Sequence, residues 1–242
     1  MEEQAKHLLD LTWLKLLETP ADQRLLIAIA GPPGSGKTTL AQLLTSTLNA
    51  RSDLSSPSSS SSPFATFVPM DGYHYSRAQL DLFPDPQEAH RRRGSEFTFD
   101  GQSFIELVKR VSKAYGKEDV YAPSFDHARK DPLEGEIKIE KDVRVVVFEG
   151  NYILLPNAPW SQVLPLYSLK FFINAPTSVL RARLAARHVR AGLVPTLELG
   201  QDRADFNDIP NGIQIQEGIL AHPPRTIDMI LESKDDQDWA SK

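Results

Sequence analysis

Residues 31–39 read Gly31-Pro32-Pro33-Gly34-Ser35-Gly36-Lys37-Thr38-Thr39, and the first eight fit the pattern G-x-x-x-x-G-K-[ST] in full. Glycines let successive backbone N–H groups curl around phosphate oxygens. A helix opening at Lys37 would add its positive N-terminal end. Lys37 then reaches the β- and γ-phosphates of a nucleotide, and the Thr38 hydroxyl is placed to ligate Mg²⁺. The whole stretch 31–39 is therefore the expected binding site for the phosphates of a nucleotide.

Two carboxylates follow apolar runs that read as strands. Glu149 comes directly after Val145-Val146-Val147-Phe148 and takes the place of the acid that supports Mg²⁺ beside a phosphate loop. Asp71 opens Asp71-Gly72-Tyr73-His74-Tyr75. It is either a turn-forming Asp-Gly pair or the base that takes a proton from an attacking hydroxyl.

Leu180 to Arg190 reads LRARLAARHVR, with Arg181, Arg183, Arg187 and Arg190 and no acid. The spacing of Arg183, Arg187 and Arg190 puts them on one helical face. That face is a solvated basic stripe or, as the family resemblance given below implies through Arg183-Leu184-x-x-Arg187, a lid whose Arg183 and Arg187 meet charge developing on a transferred phosphoryl group.

Two polar clusters, His90-Arg91-Arg92-Arg93-Gly94 and Phe125-Asp126-His127-Ala128-Arg129-Lys130-Asp131, lie between Asp71 and Glu149. They form an exposed charged loop or, as the family resemblance given below implies, the wall that meets an anionic acceptor. A metal site from His74, Asp126 and His127 is the less economical reading, since alcohol phosphorylation needs only nucleotide-bound Mg²⁺. Asn207-Asp208-x-Pro210-Asn211-Gly212 reads as a turn that folds over the nucleotide.

These groups need a scaffold. Leu25–Ala30 is short and continuously apolar, the signature of a strand buried on both faces. Further strands are expected at Phe64–Met70, Val143–Phe148, Leu169–Ile173 and Ile227–Leu231. Helices are expected at Lys37–Leu48, Arg77–Leu82, Gln102–Ala114 and from Pro176 to about Ala191. Strands alternating with helices imply an α/β fold with a mainly parallel, doubly wound sheet in three layers. In such a sheet ligands gather at the carboxyl ends of the strands. Residues 1–20 read as a packing helix that ends before Pro20, and 21–242 as a single domain. Residues 55–63, SSPSSSSSP, read as a flexible insertion or a phosphorylated regulatory loop.

The 242 residues carry a net charge of −5, which argues against coating nucleic acid. Hydrophobic residues make up 40%, enough for a sizeable core, and the absence of cysteine excludes disulfides and thiolate chemistry. No apolar run reaches the ~18 residues of a membrane span. The acidic start lacks the features of a targeting peptide, so a cytoplasmic location is expected.

The phosphate loop, Asp71-Gly72-aromatic, and Phe148-Glu149-Gly150-Asn151-Tyr152 together resemble the uridine kinase/phosphoribulokinase/pantothenate kinase family. Arg93-Gly94-x-x-Phe97-Thr98-Phe99-Asp100 and Ala122-Pro123-Ser124-Phe125-Asp126-His127 resemble its nucleoside/nucleotide kinase-like branch. The resemblance spans about residues 25 to 232 and implies a P-loop NTPase fold with an Arg-bearing helical lid. It implies ATP, Mg²⁺ and transfer of the γ-phosphoryl group to a hydroxyl of a small metabolite, with no nucleic-acid or membrane partner. It also implies catalytic roles for Asp71 and Lys37, a metal-side role for Glu149, and acceptor contacts from His74, Arg93, Asp126, His127 and Tyr152. Asp-Gly-Tyr-His stands where uridine kinases resemble Asp-Asp-Phe-Tyr, a departure at the acceptor side. The rival reading is a nucleotide-hydrolysing switch with no small acceptor, which has no use for a base at Asp71.

Overall fold

The computed structural model describes residues 2–55, 62–126, 128–221 and 227–233. His127 and most of the serine-rich segment, residues 56–61, lie outside the described residues.

A five-stranded sheet is built from β1 (Leu25–Ala30), β2 (Ala65–Pro69), β5 (Val145–Gly150), β6 (Leu169–Asn174) and β7 (Met229–Glu232). Its order is β2-β5-β1-β6-β7, and every neighbouring pair is parallel. Alternation explains the unbroken apolar runs. Leu26, Ala28 and Ala30 of β1 enter the core on one face, while Leu25, Ile27 and Ile29 enter the core on the other. Val146 and Phe148 of β5 follow the first face, Val145 and Val147 the second. A strand covered on both sides has no polar side to show.

Helix α1 (Glu2–Glu18) and helix α2 (Lys37–Ser55) belong to one face, with Leu8, Leu40, Leu44 and Leu48 buried there. The other face is covered by α5 (Gly101–Lys113), a 3₁₀ segment at Trp160–Leu166, and α8 (Ile209–Leu220). Short helices α3 (Arg77–Leu80) and α4 (Pro86–Arg91) precede α5; α6 (Thr177–Arg190) and α7 (Leu197–Arg203) precede α8. Among the described residues no helix is long and apolar enough to cross a membrane.

Two parts depart from the sequence reading. First, β3 (Val120–Asp126) and β4 (Asp131–Ile139) pair antiparallel as a separate hairpin. Its signal was the period-two run Leu133, Gly135, Ile137, Ile139, masked by the intervening charges and by Pro123. The register shifts between Ala122 and Ser124, an irregularity that accommodates a proline. Second, the expected turn at residues 207–212 is helical. A π-helical turn at Ala204–Asp208 runs straight into α8, which has Pro210 near its start.

Candidate functional site

The chain leaves β1 at Ala30 and enters the glycine loop. Gly34 and Gly36 hold φ of 81° and 96°, open to glycine and strained for other residues. A Cβ on Gly31 would lie 2.5 Å from the Ile173 carbonyl oxygen, so the loop sits directly on β6. The Ser35 hydroxyl is buried there without a hydrogen-bond partner among the described residues. The loop ends where α2 begins, so Lys37 and Thr38 occupy the helix's first turn. Thr39, next in that turn, is half-buried.

Glu149 is brought to this loop by strand order. β5 lies between β1 and β2, and Glu149 is in register with Ile29 on one side and Pro69 on the other. Thr38 Oγ1 donates to Glu149 Oε2 at 3.2 Å, and Lys37 Nζ lies 3.8 Å from Glu149 Oε1. Lys37 Nζ also donates to the Pro32 carbonyl at 3.2 Å. Only 7% of Lys37 and 6% of Glu149 is exposed. Burial pushes both towards their neutral forms. The lysine falls below its usual range against the pull of Glu149 and Asp71. The Glu149 carboxyl is raised to about 7 by burial, opposed by Lys37 and reinforced by the negative charge of Asp71. A cationic amine, a carboxylate and a hydroxyl converge on a glycine cradle, and their hard oxygens suit Mg²⁺. The residues therefore fit a metal-bound nucleotide triphosphate.

Asp71 lies just past β2 in a 3₁₀ turn, Met70–Tyr73, half-buried. Its carboxylate acts on both Lys37 and Glu149. Its backbone carbonyl accepts from His74 N and faces His74 Nδ1 at 2.8 Å. The turn is clamped by the hairpin: a Cβ on Gly72 would lie 2.2 Å from the Pro123 carbonyl oxygen. The structure thus gathers Lys37, Thr38, Glu149 and Asp71 at one sheet edge.

The basic helix α6 finds its acids on the π-helical turn, not within itself. Arg181 pairs with Asp205 at 2.6 Å, and Arg187 Nη2 lies 3.7 Å from Asp208. Asp208 also meets the buried His188 at 3.2 Å. Arg183 Nη1 donates to the Gly34 carbonyl at 3.3 Å and to Ser233 at 2.8 Å, which ties the helix to the phosphate loop. Arg187 is exposed, and its charge acts on Lys37.

The acceptor candidates are less uniform. His74 stacks between Phe99 and Phe125, with ring centroids 3.9 and 4.9 Å away. Arg93 donates to the Tyr75 and Lys130 carbonyls and pairs with Asp131 at 3.1 Å. Asp126 accepts from the N–H groups of Ala128 and Arg129 in the hairpin turn. Tyr152 is fully buried, and its hydroxyl donates to the Gly94 carbonyl at 2.8 Å. For Arg93, Asp126 and Tyr152 the acceptor-wall expectation therefore meets polar groups already engaged with the protein. These three hold the loops; His74 stays beside Asp71.

Sequence reasoning missed a buried polar group on the same side. Ser95, Asn207 and Asn211 bond one another and Arg92. The two asparagines stand four apart, a spacing that signals one helix face, but Pro210 and Gly212 between and beside them give the segment the signature of a turn.

Residues 26–190 match the family model described as Phosphoribulokinase / Uridine kinase family. The uridine kinase-like protein C227.14 of Schizosaccharomyces pombe is 41% identical over 210 residues, covering 87% of this chain and 83% of that protein. ATP-dependent kinase YFH7 of Lachancea thermotolerans is 35% identical over 198 residues, covering 68% of this chain and 57% of its own length. The crystal structure of YFH7 from Saccharomyces cerevisiae superposes with a TM-score of 0.83 at 24% identity, over 96% of this chain and 99% of that one, a likeness of fold. With the phosphate loop, the strand order and these matches together, the chain belongs to the phosphoribulokinase/uridine kinase family of P-loop kinases, phosphotransferases that act on alcohol groups of small metabolites.

Proposed function

We propose that this protein transfers the γ-phosphoryl group of Mg²⁺-bound ATP to a hydroxyl of a nucleoside, sugar, sugar phosphate or hydroxy acid in the cytoplasm. The observation that carries this reading is the place of β5 between β1 and β2, which sets the buried Glu149 against Lys37 and Thr38 with Asp71 in electrostatic reach. Residues 31–39 enclose the phosphates. Lys37 would reach the β- and γ-phosphates, while Thr38 and Glu149 would hold the metal. Bound Mg²⁺ would neutralise charge on the phosphate oxygens. Asp71 accepts the proton of the acceptor hydroxyl as its oxygen attacks the γ-phosphorus, the bond to the β–γ bridging oxygen breaks, and ADP leaves. Arg183 and Arg187 stabilise the charge spread over the transferred group.

Asp71→Asn tests this reading. The amide keeps size and hydrogen bonding but loses the basic oxygen pair. A general base typically contributes 10²–10⁴-fold, so kcat for transfer should fall by about that much with ATP affinity little changed. A silent substitution would make Asp71 a turn former. Restoration by raising Mg²⁺ would make it a metal ligand. Hydrolysis of ATP that no acceptor accelerates would point to the nucleotide switch instead.

A further inference from the structure

Arg91, Arg92 and Arg93 are consecutive, yet the fold treats them differently. Arg91 pairs with Glu88 at 2.8 Å and lies over the Phe206 ring. Arg93 pairs with Asp131. Each is neutralised by a carboxylate. Arg92 is not: among the described residues its hydrogen bonds run to neutral groups. Its Nε donates to Asn207 Oδ1 at 2.9 Å and lies 3.3 Å from Ser95 Oγ, and its Nη2 reaches Asn211 Oδ1 at 3.5 Å. Ser95 and Asn211 are 3% and 2% exposed and are bonded to each other at 2.9 Å, so the anchor is rigid. Amide oxygens fix the direction of a guanidinium without cancelling its charge. A half-buried, oriented and uncompensated arginine is costly to a fold that makes no use of it.

Its position gives it a use. Gly212, next to the Asn211 anchor, packs on the phosphate loop, where an added Cβ would lie 3.2 Å from Pro32 Cβ. On the other side Arg92 and Asp71 both act on the buried Tyr152 hydroxyl, three residues past Glu149. Arg92 also lines a cavity of about 410 Å³ with Ser95, Phe99 and Trp160. The carboxylate in that lining, Glu96, accepts from Trp160 Nε1 and Gln214 Nε2, neutral donors that fix its direction and leave its charge in place.

Resting on the kinase reading above, we propose that Arg92 is the specificity residue of the acceptor site. It binds an anionic group, phosphate or carboxylate, that the acceptor carries in addition to the hydroxyl that is phosphorylated.

The test uses the full chain with labelled ATP and Mg²⁺ and two acceptor sets. The anionic set is ribose 5-phosphate and D-glycerate; the neutral set is ribose, glycerol and uridine. The expected result is transfer to an anionic acceptor with kcat/KM well above that of its neutral counterpart. Arg92→Gln should then raise KM for the anionic acceptor by roughly 10- to 100-fold, the scale of a charge-assisted hydrogen bond. Neutral acceptors should be unaffected, and Arg92→Lys should recover part of the loss. The phosphate and carboxylate arms identify which anion is bound. Equal losses for both sets would mark Arg92 as merely structural and overturn the inference. So would wild-type turnover of neutral acceptors as fast as anionic ones, which needs no variant to fold and leaves the kinase reading standing. Transfer to no member of either set would overturn both.

Discussion

At the residue scale, the site is organised around a buried pair held near neutrality. Lys37 and Glu149 face each other almost out of reach of bulk solvent; Asp71 supports the lysine's charge and opposes the charge of Glu149. This has a consequence for stability without ligand. The Glu149 carboxyl titrates at about 7 in the folded chain against an ordinary value of 4.5. Between those values the folded chain holds a proton that the unfolded chain has released. Stability is therefore highest below the ordinary value and falls as pH rises towards 7. In EDTA and without nucleotide, melting temperatures measured from pH 5 to pH 8 should decline through this window, and Glu149→Gln should flatten the decline. An unchanged slope in the variant would remove Glu149 as the source.

At the element scale, the β3–β4 hairpin and the α6 helix flank the site and do different work. The hairpin backbone passes so close to Gly72 that no side chain fits between them. Gly72→Ala should push Pro123 or the Asp71 turn aside and cost about 3 kcal/mol, the upper end of overpacking. Chemical denaturation gives the loss, and activity in the folded fraction reports whether Asp71 has moved. A loss below ~0.5 kcal/mol would mean that the turn and the hairpin are free to separate. Helix α6 is attached at Arg183 through Gly34 and Ser233, whereas Arg187 is exposed and has one distant carboxylate partner. A guanidinium so lightly held is available to charge that appears only during transfer. Arg187→Ala should therefore lower kcat more than it weakens ATP binding. Steady-state kinetics beside direct ATP titration separates the two, and weaker ATP binding with kcat untouched would make it a ground-state contact.

At the scale of the whole molecule, the candidate site joins parts distant in sequence: the loop after β1, the turn after β2, the end of β5, and the α6–α8 region. Nucleotide binding at this junction should stabilise the fold as a unit. With one site and Mg²⁺-ATP at 100 times its Kd, the gain is about 2.7 kcal/mol. A single-step rise in Tm is expected, and Lys37→Ala should abolish most of it. A full shift in that variant would put the nucleotide elsewhere.

The sequence by itself determined the phosphate loop, the acids and the parallel sheet. Each is a local signal: glycines where φ must be positive, carboxylates directly after apolar runs, and strands apolar throughout because both faces are covered. Strand edges were legible to within a residue or two, as at Leu25–Ala30 and Leu169–Asn174. Helix α2 runs on to Ser55, past the Leu48 where the apolar periodicity ends. Only the tertiary structure decided which polar residues share a neighbourhood. Arg91, Arg92 and Arg93 are the same residue type side by side. Arg91 finds Glu88 within its own short helix, but the two distant asparagines that meet Arg92 and the Asp131 that meets Arg93 depend on how the α8 region and the hairpin close over them. Likewise the acids that balance α6 lie on a π-helical turn 24 or more residues from Arg181 in sequence. Local chemistry is written in residue order, whereas pairing across the cleft is fixed by packing that brings remote segments together.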